Sequence, residues 1–452
     1  MPSLTCRASA DHFDGSVGAP TRSQSGFLHR PQSTWFALGV LLAVAGAVPA
    51  ALAQSSRPLT LVTALQRAVA ANPRLAAADL DVGIATGRRI QAGAIPNPEL
   101  SYELDNAFGS GPYRGLRSAE TTLQVSQLFE FRGKRDARIA AGSAEVDSAA
   151  WQLEALRLEI LTDTATAFIN VVAGQRRLQL YDAQIAALNR LIPLLQRRVE
   201  AGASSPAETA RAQVAADLVR ADRERAGAAL AIARLELATL MGASRADFSR
   251  AVGDLTRVGR PPPLQTIVHS IDALPQLARW TAVRAQRDAE LILARLKPYP
   301  DMRLEAGWRH FNDTKDDAVR LGFSVPLPVF DRNVGGIIEA EGARAKVDAE
   351  RATSKAALVL TLGRAYETLS GALREIDILR SAAIPNARRA QEAMESGYAQ
   401  GRFTLLELLD VQNTVTQAGL RELEALMNFH VSVATIEGLT GTPMALTRER
   451  PR

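Results

Sequence analysis

The chain of 452 residues contains one cysteine, Cys6. That residue lies in a segment expected to be removed, so the mature chain has no disulfide, no thiol chemistry and no cysteine metal site. Aromatic residues make up only 5% of the sequence. Alanine, leucine and arginine dominate instead, a composition for long helices rather than for a large aromatic core. The net charge is only +5, and no dense basic run is interleaved with aromatics, which argues against a nucleic-acid partner. Walker loop, Gly-x-Gly-x-x-Gly and nucleophile-elbow motifs are all missing, so the sequence reads as no enzyme and calls for no cofactor. The histidines of the mature chain, His269, His310 and His430, are scattered. His310, at a strand end, reads as interfacial rather than as a metal ligand.

Long hydrophobic runs are missing as well. The apolar stretch WFALGVLLAVAGAV at 35–48 follows Arg22 and Arg30 and precedes Ala51-Leu52-Ala53. It falls short of the ~20 residues of a spanning helix. Its length and the small-residue pattern after it predict a cleaved signal peptide over 1–53, with Gln54 as the mature start.

What the mature chain does have is duplication. Gly202 and Gly401 lie 199 residues apart, as do Gln213 and Gln412. Asn72-Pro73-Arg74-Leu75 echoes Leu274-Pro275-Gln276-Leu277, and Leu240-Met241-Gly242 echoes Leu439-Thr440-Gly441. The expected organisation is a first repeat over 54–252, a second over 253–445, and a tail over 446–452. Each repeat opens with a shorter helical segment, over 59–94 and 264–297. Proline pairs break these at Pro96 and Pro98, and at Pro298 and Pro300.

Beyond the prolines the pattern changes period. Leu100, Tyr102 and Leu104 interleave with Ser101, Glu103 and Asp105, and Val319, Leu321, Phe323 and Val325 with Arg320, Gly322 and Ser324. Alternation of this kind predicts strands with one apolar and one polar face. Two β-hairpins result, with loops at 108–118 and 312–317. A half-buried soluble sheet alternates identically, but strands of about ten residues with charged inward positions, in an exported helical chain, fit tilted transmembrane β-strands.

Two very long helical stretches follow, over 134–200 and 335–399, each with one internal proline, Pro193 or Pro385. About 65 residues make a rod of ~100 Å, which must lie against neighbouring helices. Leu153, Leu156 and Ile160 form one apolar stripe, and Leu158, Leu161, Ala165 and Phe168 a second, so the helix has neighbours on two sides. Gly202 and Gly401 supply the left-handed geometry that ends a helix. Ser205-Pro206 and Thr404 start the returning ones. Four strands cannot close a barrel, and an open edge cannot sit in lipid, so several copies must assemble. Three copies give twelve strands and twelve helical columns.

These features resemble the TolC-type outer membrane factors, exit ducts of efflux and secretion systems, over residues 57–445. The segments SQLFEFRGKRDARI (126–139), VPLPVFDRNVGGII (325–338) and GYAQGRFTLLELLDVQN (397–413) carry the resemblance. The stretch around Arg132-Gly133-Lys134-Arg135 is most like the cobalt-zinc-cadmium branch. The resemblance implies a mainly α fold with a small β part: trimeric α-helical hairpins capped by a twelve-stranded transmembrane barrel. It implies a homotrimer in outer membrane lipid, passively conducting heavy-metal cations from a periplasmic adaptor and an inner-membrane resistance-nodulation-division pump. Hairpin-tip residues Gly202, Ser204, Ser205, Gly401, Phe403 and Thr404 would meet the adaptor. Family members close the tunnel with acidic rings and a tyrosine–arginine–acid link. Glu407 and Asp410 match the rings, Glu208 the acid and Tyr398 the tyrosine, while Phe403 occupies the arginine position with Arg402 beside it. The alternative is a periplasmic adaptor or a structural coiled-coil protein of the envelope. The full-length duplication argues against the first and the four strands against the second.

Overall fold

The computed structural model describes residues 58–268, 274–444 and 446. The expected signal peptide with Cys6, His269, and the tail apart from residue 446 lie outside the described residues. The first half of the chain forms β1 (Leu59–Thr60), α1 (Leu61–Ala71), α2 (Pro73–Ala92), β2 (Glu99–Asp105), β3 (Glu120–Phe129), α3 (Lys134–Glu200), α4 (Pro206–Leu240) and β4 (Ala251–Val252). The second forms α5 (Leu264–Val268), α6 (Pro275–Leu296), β5 (Met302–Phe311), β6 (Asp317–Ser324), α7 (Val334–Ile378), a π turn (Leu379–Ala383), α8 (Ile384–Ala399) and α9 (Leu405–Thr440).

The expected helix over 59–94 is two helices. Asn72 ends α1, and its side-chain oxygen accepts from the Arg74 N–H at 2.9 Å to start α2, with Pro73 in the first turn, where its missing N–H costs nothing. The second long segment also departs from expectation. Pro193 sits inside an unbroken α3, whereas Pro385 follows a π turn in which the Ile384 N–H reaches back to the Leu379 carbonyl. Proline removes an amide donor and crowds the preceding turn, and widening that turn relieves the clash. The short parallel pair β1–β4 has no counterpart in the sequence reading.

The strands form one antiparallel sheet in the order β2-β3-β5-β6, so the two β-hairpins meet through β3 and β5. Register puts Tyr102, Leu123, Trp308 and Val319 in one row of one face. The apolar face is open: Val319, Leu321 and Phe323 are 78%, 78% and 74% exposed. The opposite face is knitted by charge. Arg309 bonds Glu120 and Thr122, each at 2.9 Å, and Arg303 bonds Glu99 and, at 3.1 Å, Ser126. Among the described residues no helix is long and apolar enough to cross a membrane.

The helices pack sideways. α3 lies along α4, α9, α2 and α6, and α7 along α9 and α6. The two stripes of α3 are used separately. Ile160, fully buried, packs with Ala68 and Leu75 of α1 and α2, flanked by Leu153 and Leu156. Phe168 joins Leu237, Met241 and Phe248 in a second cluster. Small residues set the close approaches. A Cβ on Gly438 of α9 would lie 1.7 Å from Thr162 Oγ1 of α3, while one on Gly363 of α7 would meet open space. Gly438→Ala is therefore expected to lower stability by about 1–3 kcal/mol through overpacking. Gly363→Ala should be neutral or stabilising by up to ~1 kcal/mol from helix propensity. Thermal unfolding of the two variants checks this; equal midpoints would contradict the packing.

Candidate functional site

Both helical hairpins end in the same turn chemistry. α3 stops at Ala201, and Gly202 takes φ 71° while the Ala203 N–H returns to the Arg198 carbonyl at 2.8 Å. At the second tip Gly401 takes φ 72°, and the Arg402 N–H returns to the Gly397 carbonyl at 2.9 Å. These returns satisfy carbonyls that the helix end leaves open. Ser205 then caps α4 through the Ala207 N–H. Thr404 caps α9 in a reciprocal box: its hydroxyl accepts from the Glu407 N–H, and the Glu407 carboxylate accepts from the Thr404 N–H at 2.7 Å.

The two tips share one apolar cluster. Leu191 and Leu195 of α3, Ala212 of α4, Tyr398 of α8, and Leu405 and Leu408 of α9 pack together. Burying each leucine contributes about 1.5–3 kcal/mol, enough to hold two otherwise separate turns as one unit. The Phe403 ring lies over Gly397, where a Cβ would come within 2.3 Å of it.

A polar link crosses this cluster. The buried Tyr398 hydroxyl donates to Glu208 Oε2 at 3.5 Å, and Ser204 Oγ donates to the same oxygen. The Arg198 guanidinium lies 5.1 Å from the Tyr398 ring centroid, and its Nη1 donates to the Tyr398 carbonyl at 3.4 Å. Burial, then the Glu208 charge, pushes the Tyr398 phenol above its ordinary value, and Arg198 pulls the other way. The hydroxyl therefore stays a donor throughout the physiological range.

Of the residues singled out by sequence, the structure brings Tyr398, Glu208 and Ser204 together. It does not bring Arg402 to them: that side chain is exposed and has no hydrogen bond or ion pair among the described residues. The tight turn after Gly401 carries it outward, and the arginine that reaches Tyr398 is Arg198, four residues before Gly202. Sequence reasoning missed Arg198 because it looked for the cation after the second turn, at Phe403 and Arg402, whereas the guanidinium that reaches Tyr398 comes from the first hairpin. Glu407 and Asp410 are both exposed, one helical turn apart. The Thr404 N–H and hydroxyl hold the Glu407 carboxyl below its ordinary range. Its cap is fully present above the usual carboxylate pKa and is lost as pH falls through the depressed one. His310 stacks on Trp308 and bonds Asp317 at 2.9 Å, a strand-end contact.

A chain of paired helical hairpins carrying a charged-faced sheet at one end and linked turns at the other has the make-up of a duct. It belongs to the outer membrane efflux protein family, whose model matches residues 64–243 and 269–442, and it is an efflux channel of the outer membrane. The cobalt-zinc-cadmium resistance protein CzcC of Cupriavidus metallidurans is 29% identical over 394 residues, covering 87% of this chain and 93% of that one. TolC of Escherichia coli is 21% identical over 86% of this chain and 83% of its own length. Among solved structures, CusC superposes with a TM-score of 0.73 at 17% identity, covering 84% of this chain and 92% of that one.

Absorbance titration of the wild type minus Tyr398→Phe is expected to reveal a phenol ionising above the ordinary tyrosine value. In Arg198→Ala the same phenol should move higher still, because the guanidinium favours the phenolate. A difference spectrum centred at or below the value of a free tyrosine would contradict the buried link.

Proposed function

We propose that the protein is the exit duct of a tripartite efflux system. Three copies assemble, and the duct passes heavy-metal cations outward without doing chemistry on them. The observation that carries this is the sheet: four antiparallel strands with an open apolar face and two unpaired edges, β2 and β6. Apolar residues facing lipid and unpaired backbone both demand closure, and neighbouring copies supply it by pairing β6 of one with β2 of the next. Three copies make a barrel of about twelve strands. The two halves of the chain, 54–252 and 253–445, are then repeats of one hairpin unit, each supplying two strands and two helical columns.

The polar face becomes the lumen. Per chain it carries Glu99, Glu103, Asp105, Glu120 and Glu305 against Arg303, Arg309 and Arg320, five acids to three bases. A net negative lining favours cations. The relatives named for cobalt, zinc, cadmium and nickel resistance support divalent metal ions as cargo. In this reading the helical columns extend into the periplasm. An adaptor meets the tips around Gly202, Ser204, Ser205, Gly401, Phe403 and Thr404, and an inner-membrane resistance-nodulation-division pump provides the energy.

The tips form the constriction. Glu407 and Asp410 from three copies make acidic rings, and the Tyr398–Glu208–Arg198 link holds the hairpins of each copy together. The double variant Glu407→Ala/Asp410→Ala is expected to raise resting conductance in planar bilayers and to lower cation selectivity. Unchanged conductance and selectivity would remove these two residues from the constriction. A deletion strain that loses resistance to the metal ions, and regains it with the wild-type gene, tests the cargo.

A further inference from the structure

The segment after α4 crosses the helical columns, and each column bonds to it in turn. Arg234 of α4 donates to the Phe248 carbonyl. Gln175 of α3 donates to the Ala251 carbonyl at 2.9 Å and accepts from the Ala251 N–H at 3.1 Å. His430 of α9 lies with Nε2 2.9 Å from the Leu255 carbonyl, which can only accept, so Nε2 carries the proton. Arg380, in the π turn, donates from Nη1 to the Thr256 carbonyl at 3.0 Å. Reading 248, 251, 255, 256 along the segment reads α4, α3, α9 and the π turn across the molecule. The segment is a belt, held through its backbone carbonyls, and at Ala251 also through its N–H, by side chains of the columns.

One of these four side chains differs from the rest. Arg380 also pairs through Nε with Glu422 Oε1 of α9 at 2.7 Å, in a partly buried site. It therefore clamps three elements at the one place where, among the described residues, a long helix departs from α geometry. Below the π turn, α8 runs 16 residues to its tip, a lever of ~24 Å. α3 passes the same level without a break. The belt thus marks a fulcrum, with one rigid column and one hinged column beneath it.

We infer that Arg380 is a positioning residue for the tip constriction: it pins the hinge of α8 to the belt and to α9, and its release lets the α8 tip swing away from α3. The inference rests on the channel reading above. Loss of the clamp shifts a two-state balance at the tips, where Tyr398 at the end of α8 meets Glu208 and Arg198.

The test is single-channel recording of the full-length, membrane-extracted protein. Arg380→Ala is expected to raise open occupancy about tenfold, equivalent to about 1.4 kcal/mol. Arg380→Lys should recover much of the closed state, because an ammonium can still pair with Glu422. Arg421→Ala is the control. Arg421 bonds Glu375 at 2.8 Å between the same two columns, about one turn away, in a more exposed pair that no hydrogen bond ties to the belt among the described residues, and its loss should change occupancy little. If Arg380→Ala fails to assemble, Glu422→Gln, which keeps the shape and removes the charge, gives the decision. Wild-type occupancy in the assembled Arg380 variant or in Glu422→Gln would overturn the inference. So would an equal rise in Arg421→Ala, which would mean general loosening. A wild-type protein that forms no pores at all would instead defeat the channel reading.

Discussion

A helix of 67 residues, α3, has no interior of its own. Near 1.5 Å per residue it is a rod of ~100 Å, and every apolar group on it must be buried sideways against another helix. That requirement explains the alanine-rich composition, the paired stripes and the glycines at close crossings. It also explains why one partner never suffices. α3 packs on α4 and α9 along one part of its length and on α2 and α6 along another, with separate clusters around Ile160, Phe168 and Leu195. The duct is what lateral packing yields when each column must find neighbours on two sides.

The sheet obeys the same logic with different chemistry. Its polar face satisfies itself through arginine–carboxylate pairs such as Arg309–Glu120, whereas its apolar face and outer edges remain open in one chain. At the other end, small turns are held by satisfied backbone groups and a shared leucine core, so the tips are built on two Schellman-type ends and one capping box rather than on loops. The belt between them gives the columns a common fixed level. With the π turn at the belt as the hinge, the motion inferred above is confined to the α8 tip beneath it.

Much of this was legible in the sequence, for physical reasons. Period-two alternation around Tyr102 and Val319 marked the strands, because one face is polar and the other is not. Gly202 and Gly401 marked the tips, because a left-handed residue after a long helix has few other uses. Other features left no readable pattern. β1 and β4 have two residues each, too few to show a period. Pro193 and Pro385 each fall inside a long helical stretch, at an offset that makes them not strictly equivalent, and only the second follows a π turn, since tertiary neighbours decide where a strained turn can widen. Asn72 divides a helix that hydrophobic spacing alone runs straight through. The Arg198 contact joins residues 200 positions apart, and no local motif announces it. Gln213 and Gln412 match by offset but not by environment: the first is exposed and the second buried.

The central claim is that lateral packing and edge closure combine three chains into one hollow duct. Electron microscopy of the protein extracted from outer membranes in detergent tests it most directly. The account predicts threefold hollow particles more than ~100 Å long, with a closed barrel at one end and a narrowing at the other. A monomer, or a thin rod without a lumen, would contradict it and return the four strands to an ordinary soluble sheet.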